Sequence, residues 1–286
     1  MKDNLYKYIN KSDWKSIAFC KNKAYVCCEL SKLIYGYKPT KLNDRTKVYG
    51  INDINLSEDL GIKEFRIFIS NLDFRLIFIL QNKDSIIIGL SIHRAIFVVS
   101  RGTSYWKDWV NNLKLCRTRI CYVENLKFHT GFNNIAIKTI DGIYKEISNE
   151  TAPIYFTGHS LGGALSGIFY YYFTSNCNCI RNVMLKNEIS AYTFGMPRFS
   201  NKTLKQTDSL FNLYNPLDIV PKTPPKIFGY TDQKCEYKLS ESGLEISKEH
   251  EQIGLLKAIK VIIKGDVAKE HSIKKYLSFL HSFVNK

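Results

Sequence analysis

The sequence contains no uninterrupted apolar run that approaches about 18 residues, the length that a transmembrane helix needs, so we expect no membrane span. Its first residues, 1–8, include no apolar stretch of the kind found in secretory leaders. These two absences predict a cytoplasmic or otherwise intracellular protein, at most peripheral to membranes. No repeat or low-complexity linker divides the chain. We therefore expect one domain over residues 1–286, with residues 1–60 as a helical segment packed on it.

Metal-ligand spacing is also absent. The chain has 8 cysteines and 6 histidines, but Cys177 and Cys179, one residue apart, are too close for an ordinary zinc knuckle, and the others lack ligand spacing. Because no secretory leader precedes them, the cysteines are expected to be reduced thiols. The sequence therefore indicates no metal and no other cofactor.

Acidic residues are scarce relative to basic ones. The chain has 26 Asp and Glu against 41 Lys and Arg, a net charge of +15. Such an excess favours a polyanionic partner, but the lysines are dispersed and no nucleic-acid-binding motif accompanies them, so nucleic acid is not an expected partner. Peripheral contact with an anionic lipid surface is compatible with this charge, and a plain lysine bias that favours solubility explains it equally well. The oligomeric state stays open.

The most informative stretch is residues 153–167, in which a short β-rich apolar run leads into Gly158-His-Ser-Leu-Gly162 and then into small, helix-favouring residues. Strand, sharp turn and helix form the context of the G-x-S-x-G nucleophile elbow, in which Ser160 projects from the edge of a sheet. The start of the helix supplies amide groups, that of Leu161 among them, for a developing oxyanion. An ordinary turn with a buried serine is the alternative.

Elsewhere the pattern changes from consecutive strands to alternating strands and helices. The predicted strands are Phe65–Ile69, Phe74–Leu80, Ser85–Leu90, Arg94–Ser100, Ile154–Thr157, Ile189–Phe194 and Ser209–Tyr214. The predicted helices are Ala24–Tyr35, Phe132–Ile147, a polar helix near 200–208, and Ile273–Val284. This order predicts an α/β fold, three layers αβα around a mostly parallel mixed sheet, with a site beyond the carboxyl ends of the strands.

A serine hydroxyl becomes nucleophilic when a histidine accepts its proton and a carboxylate orients that histidine. Asp218 is the best candidate acid, because it lies just beyond the end of a predicted strand. Among the histidines that follow Ser160, His281 falls inside a predicted helix and His250 in a charged segment, whereas His271 lies on a loop. We expect His271 to be the base, with His250 as the alternative.

Two further residues are expected near the elbow. Arg101-Gly102-Thr103 is predicted to form a tight turn after an apolar strand, so that the amide and hydroxyl of Thr103 can supply the second oxyanion donor. His159, beside the nucleophile, cannot fold back as its base. It is expected to orient the elbow by packing or hydrogen bonding.

Five blocks, in the same order along the chain, carry a family resemblance. They are Ser100-Arg-Gly-Thr-Ser-Tyr-Trp-Lys-Asp-Trp109, His129-Thr-Gly-Phe132, Gly158-His-Ser-Leu-Gly-Gly163, Phe194-Gly-Met-Pro-Arg198, and Asn215-Pro-Leu-Asp-Ile-Val-Pro221 with Pro224-Pro225. Over roughly residues 90–280 the sequence resembles the class 3 (fungal-type) lipases of the α/β-hydrolase superfamily.

The resemblance implies an α/β-hydrolase fold and a triad of Ser160, Asp218 and His271. It also implies an oxyanion hole formed by Thr103 and Leu161, and no cofactor. The implied activity is cleavage of carboxylic esters of lipids, as in triacylglycerol lipases, with a lipid ester as the partner. Phospholipase A1 or a small-ester carboxylesterase is the alternative on the same fold. A lipid-binding or structural pseudoenzyme is the alternative from another class.

Two segments bear on contact with lipid. In Ser104–Arg117 the apolar residues recur on one helical face: Trp106, Trp109, Val110 and Leu113. This pattern predicts either a lid that covers Ser160 in water and opens on lipid, or a fixed helix. The helix-like insert Ile253–Ile263, which carries lysines, is expected to add a second contact.

Overall fold

The computed structural model of the chain describes residues 2–39, 42, 45–102, 117–119, 125–175, 185–205, 208–247 and 267–285. Within these ranges the helices are α1 (Lys2–Asn10), α2 (Lys21–Leu33), α3 (Ile51–Leu56), α4 (Leu60–Asn71), α5 (Thr130–Ile147), α6 (Leu161–Thr174), α7 (Val267–Glu270) and α8 (Ile273–Val284). The strands are β1 (Lys47–Tyr49), β2 (Arg75–Gln81), β3 (Ile86–Ile92), β4 (Ala95–Ser100), β5 (Arg117–Arg119), β6 (Lys127–His129), β7 (Ile154–His159), β8 (Ile189–Phe194), β9 (Leu210–Tyr214), β10 (Cys235–Ser240) and β11 (Gly243–Ser247).

Nine strands form one sheet in the order β1-β2-β3-β4-β7-β8-β9-β10-β11. From β4 through β10 the neighbouring strands are parallel, and the pairs at both ends are antiparallel. The antiparallel edge follows from the short turns between β2, β3 and β4, which leave no length for a crossover helix. The predicted α/β fold with a mixed sheet is confirmed.

Side-chain alternation along the strands divides the core into two apolar layers. Tyr155 belongs to the cluster that includes α2 and α8, whereas its neighbour Phe156 belongs to the cluster that includes α5 and α6. Consecutive residues of a strand point to opposite faces, so helices cover both sides of the sheet. Every residue of β7 and β8 is buried, as expected for parallel strands between two helical layers.

The prediction of a strand at Phe65–Ile69 is wrong, because this segment lies inside α4. The side chain of Asp59 accepts a hydrogen bond from the Ile62 amide (3.1 Å) and caps the helix. Ile62, Phe65 and Ile69 are buried, and their spacing of three and four residues is helical. A window of five residues is too short to distinguish this spacing from a strand.

The polar helix predicted near residues 200–208 is also wrong for the described part of that stretch. Residues 200–205 contain no helix, and Ser200 instead forms isolated β-bridges with Phe128 and Thr231. Strands β10 and β11 were not predicted, and they extend the sheet beyond β9.

The first helices lie on the sheet face that also carries α8. On α2, Ser31 Oγ lies 3.1 Å from Thr157 Oγ1 of β7, and the hydroxyl of Tyr155 donates to the carbonyl of Trp14 (2.7 Å). In the described part of the chain, none of the helices is both long enough and apolar enough to cross a bilayer.

Candidate active site

The turn between β7 and α6 places Ser160 in a conformation that costs energy. Its φ is 60° and its ψ is −128°, a region that non-glycine residues rarely adopt. The Ser160 amide donates to the carbonyl of Phe194, at the end of β8 (2.9 Å). Its Oγ is buried and has no hydrogen-bond partner among the residues that the structure describes. A strained turn with an uncommitted hydroxyl is the geometry of a nucleophile elbow.

Strand and helix pass each other at the elbow more closely than any side chain allows. A Cβ atom added to Gly162 would lie 2.1 Å from the carbonyl oxygen of Ser100, and one added to Gly158 would lie 2.4 Å from the Gly162 carbonyl. Both distances are far below van der Waals contact, and the clashing atoms belong to the backbone. The elbow therefore requires glycine at both positions.

We expect Gly162→Ala to lower the free energy of unfolding by about 1–3 kcal/mol or more, because the backbone of Ser100 must move to admit the methyl group. Thermal unfolding measures the effect. Gly36→Ala is the matched control, since nothing lies within 4 Å of a Cβ at that position. Equal melting temperatures for the two variants would contradict the close approach.

Asp218 lies in the loop after β9 and is completely buried. Its Oδ2 accepts hydrogen bonds from His271 Nδ1 (2.7 Å) and from the Tyr276 hydroxyl (2.7 Å), and its Oδ1 accepts from the Val220 amide (2.9 Å). Burial and the nearby Asp218 raise the pKa of Tyr276 well above its usual value, so that this hydroxyl remains a donor. Three donors thus fix the carboxylate in one orientation.

His271 lies between α7 and α8 and is buried. The structure brings it to Asp218, as the sequence predicts for the base. His281, on α8, is exposed and contacts Asn285 and the ring of Tyr25. The alternative base, His250, lies outside the described residues.

Ser160, Asp218 and His271 all lie near the end of β8. The carbonyl of Phe194 accepts the Ser160 amide. A Cβ atom added to the next residue, Gly195, would lie 3.1 Å from Asp218 Oδ2 and 3.2 Å from Cε1 of His271. Gly195 has φ of 58°, a left-handed conformation that suits glycine. Because Gly195 has no side chain, the loops that carry Asp218 and His271 can lie close to the end of β8.

Of the two predicted oxyanion donors, the structure describes one. Leu161 is the first residue of α6, so its amide has no acceptor within the helix. The preceding turn reaches the elbow, because a Cβ atom added to Gly102 would lie 3.3 Å from the Cβ of Ser160. Thr103 itself lies outside the described residues, and its role stays a prediction.

Four residues at this site were not assigned a role from the residue pattern. The side-chain amide of Asn215 donates to the backbone oxygen of Glu270 (3.0 Å) and to its carboxylate (2.8 Å). It thereby ties the loop of the acid to the residue before His271. The hydroxyl of Tyr276 donates to Asp218, and the hydroxyl of Tyr35 is hydrogen-bonded to His159. Asn215 lies in one of the family blocks, whereas Tyr35 lies far before the first of them, and no sequence signal marked it.

Metal-binding geometry is not seen in the described ranges, where no three His, Cys, Asp or Glu side chains come together as ligands.

His129 serves a structural purpose. It caps α5 by accepting from the Phe132 amide and packs on the Phe132 ring, with 4.1 Å between ring centroids.

Comparison with known proteins gives the same family as the sequence blocks. Residues 97–228 match the family described as Lipase (class 3). The chain is 28% identical over 162 residues to a secreted mono- and diacylglycerol lipase 1 of Fusarium solani, covering 53% of this chain and 46% of the relative. It is 31% identical over 121 residues to a secreted mono- and diacylglycerol lipase of Malassezia globosa, covering 38% and 37%. The chain thus spans less than half the length of each relative.

Among solved structures, lipase II from Rhizopus niveus superposes with a TM-score of 0.59 over 98% of this chain and 95% of that one, at 16% sequence identity. This likeness concerns the fold. It extends to the segments that precede and follow the matched residues 97–228.

The expectation of a cytoplasmic or intracellular location is wrong, because both of these relatives are named as secreted proteins. Reduced cysteines are a weak guide to compartment here. Cys27 and Cys28 carry no disulfide and are fully buried, and burial raises the pKa of both thiols. Buried thiols of this kind are unreactive, so their reduced state does not indicate the compartment.

The family match covers the elbow, the turn before it and the loop of Asp218. The five sequence blocks occur in the family's order, and the fold is that of solved lipases. Over residues 97–228 the chain is thus similar to the class 3 lipases, and its fold is that of the α/β-hydrolases.

Proposed function

We propose that the protein is a serine hydrolase that cleaves carboxylic esters of lipids, acylglycerols above all. The observation that carries the proposal is the 2.7 Å hydrogen bond between His271 Nδ1 and Asp218 Oδ2, which lies beside the strained Ser160 elbow at the end of β8. A buried serine turn alone has no use for an oriented imidazole. The arrangement therefore supports catalysis over a purely structural or lipid-binding role.

In the proposed reaction, Ser160 Oγ attacks the ester carbonyl carbon while its proton passes to His271 Nε2. Asp218 accepts the Nδ1–H bond and stabilises the imidazolium that forms. The amide of Leu161, together with Thr103, stabilises the oxyanion. The imidazolium then returns the proton to the departing alcohol, which leaves an ester between the acyl group and Ser160.

Deacylation repeats these steps with water as the nucleophile. His271 accepts a proton from water as the oxygen attacks the acyl carbon, and the serine leaves with that proton. The products are a fatty acid and the restored hydroxyl. No step needs a metal or an organic cofactor.

Acylglycerols are the substrates that the names of the relatives support, since the Fusarium solani and Malassezia globosa proteins are mono- and diacylglycerol lipases. Those names also support an extracellular location. Phospholipase A1 activity and small-ester hydrolysis remain the alternatives on the same site, because the walls of the acyl pocket do not follow from the triad.

The test is release of fatty acid by the purified chain from emulsified mono-, di- and triacylglycerols, from phosphatidylcholine, and from a soluble p-nitrophenyl ester. We expect acylglycerols to be the best substrates, with Ser160→Ala as the inactive control. Preference for phosphatidylcholine would establish the phospholipase alternative. Absence of turnover on every ester would refute the proposed function.

Exposed apolar side chains beside Asp218 and in the loop after it support contact with a lipid surface. Leu217, next to the acid, is 38% exposed, and Ile227 and Phe228, in the following loop, are 87% and 46% exposed. Large apolar side chains that are exposed beside the acid and in the loop after it are suited to a lipid partner. The predicted lid, Ser104–Arg117, and the insert Ile253–Ile263 lie outside the described residues apart from the backbone of 117.

We expect the rate on a short-chain ester to rise abruptly as the substrate passes its solubility limit, more so on anionic vesicles and less in high salt. Ile227→Ser should weaken this rise more than it lowers the rate on dissolved ester, because serine removes apolar area that would be buried against the lipid surface. Ile246→Ser, at a position 77% exposed on β11, is the matched control. A smooth saturation curve, indifferent to vesicles, would argue against interfacial activation.

A further inference from the structure

His159 is a buried histidine that the proposed reaction does not use. It is 5% exposed and makes one hydrogen bond through each ring nitrogen. Its Nε2 lies 2.7 Å from the backbone oxygen of His271, and its Nδ1 lies 3.1 Å from the hydroxyl of Tyr35. Because His159 precedes Ser160 in the chain, it links the elbow directly to the backbone of His271.

The direction of both hydrogen bonds follows from chemistry. A carbonyl oxygen only accepts, so the proton of His159 must be on Nε2. Burial, together with the neighbouring His271, holds the pKa of His159 well below its usual value, so the ring is neutral and its Nδ1 accepts. Burial raises the pKa of Tyr35 to about 12, so its hydroxyl keeps the proton that it donates to Nδ1.

The ring of His159 also packs directly against the base. The centroids of the His159 and His271 rings are 4.6 Å apart, and the ring of Tyr276 lies 5.9 Å from that of His159. Core packing alone explains a buried ring, but it does not explain a donor aimed at the backbone of the base. A neutral neighbour is also what the imidazolium of His271 requires, since a second positive charge at this distance would disfavour it.

We propose that His159 is a positioning residue, which sets the distance between His271 and the elbow through its bond to the His271 carbonyl, and that Tyr35 fixes the tautomer needed for that bond. This inference rests on the proposed function for its kinetic consequences. A shift of the base by a fraction of an ångström slows proton transfer while leaving substrate binding nearly unchanged.

Two substitutions separate the hydrogen bond from the packing. His159→Leu keeps much of the bulk of the side chain but removes the hydrogen-bond donor. His159→Gln supplies an amide N–H with a reach close to that of Nε2. On a soluble ester we expect His159→Leu to lower kcat about ten- to a hundredfold with KM nearly unchanged, and His159→Gln to recover most of the loss.

Tyr35→Phe tests the tautomer. It should lower kcat by about three- to tenfold in the wild-type background. It should add nothing in the His159→Gln background, where there is no imidazole to orient. Tyr172→Phe is the matched control, because it removes a buried hydroxyl that donates to Asn133 (2.6 Å), on α6 and α5 and outside the site.

A readout independent of turnover is the downfield proton resonance of His271 Nδ1–H, in the hydrogen bond to Asp218. We expect this resonance to move or broaden in folded His159→Leu and to persist in His159→Gln. An unchanged resonance and kcat in His159→Leu, or equal impairment in both variants, would overturn the proposal. If the wild-type chain hydrolyses no ester, the proposed function fails, and the resonance still decides whether His159 positions the base.

Discussion

Ser160→Ala is expected to fold like the wild type and to lose ester hydrolysis by about 10⁴-fold or more. The hydroxyl makes no hydrogen bond to the residues that the structure describes, so its removal leaves no buried partner unsatisfied. The strained turn remains, because its conformation is set by the flanking glycines and by the hydrogen bond from the Ser160 amide to the Phe194 carbonyl. The loss should therefore appear in kcat and not in the melting temperature.

Ser166→Ala is the matched control for this experiment. Ser166 lies six residues further along, on α6, is also buried, and its Oγ likewise has no partner among the described residues. It should retain wild-type activity. Retention of most of the activity by Ser160→Ala would contradict the mechanism, and equal losses in both variants would point to a general effect on α6.

His271→Ala is expected to lower kcat as severely as Ser160→Ala, because the hydroxyl then has no base to accept its proton. Combining the two substitutions should add little, since triad members act as a unit. The measurement is kcat on a soluble ester for both single variants and the double variant. Additive losses would mean that the two residues act independently.

The other late histidines provide the controls. His281→Ala should remain active, because its ring lies on the exposed side of α8. His250→Ala should also remain active. An inactive His250→Ala beside an active His271→Ala would transfer the role of base to His250 and leave the fold unaffected.

Local sequence was sufficient to predict the centre of the fold. Strands β7 and β8 are short runs rich in apolar, aromatic and β-branched residues, and the sequence predicted β8 over the residues that the structure gives. Strands β10 and β11 carry Glu236, Lys238 and Glu245, whose charges resemble those of a surface loop. Strand β10 pairs with β9, and β11 pairs with β10. The pattern within residues 235–247 contains no information about β9, so it does not predict this extension of the sheet.

The predicted site follows the same division. Ser160 and Asp218 stand in short motifs next to strand ends, and His271 was expected from its place on a loop and from the family resemblance. The contacts that hold these residues join distant parts of the chain, 124 residues apart for Tyr35 and His159 and 55 residues apart for Asn215 and Glu270. No local spacing encodes such pairs, since they arise only when the sheet brings the loops together.

Ser160 is proposed to be the residue that is acylated during turnover. The most direct measurement is to treat the protein with a fluorophosphonate, digest it, and locate the adduct by mass spectrometry. We predict one phosphonyl group per chain on the peptide that contains Ser160, with complete loss of hydrolysis and much slower labelling in His271→Ala. An adduct on another residue, or ester hydrolysis that survives complete labelling of Ser160, would exclude Ser160 as the nucleophile.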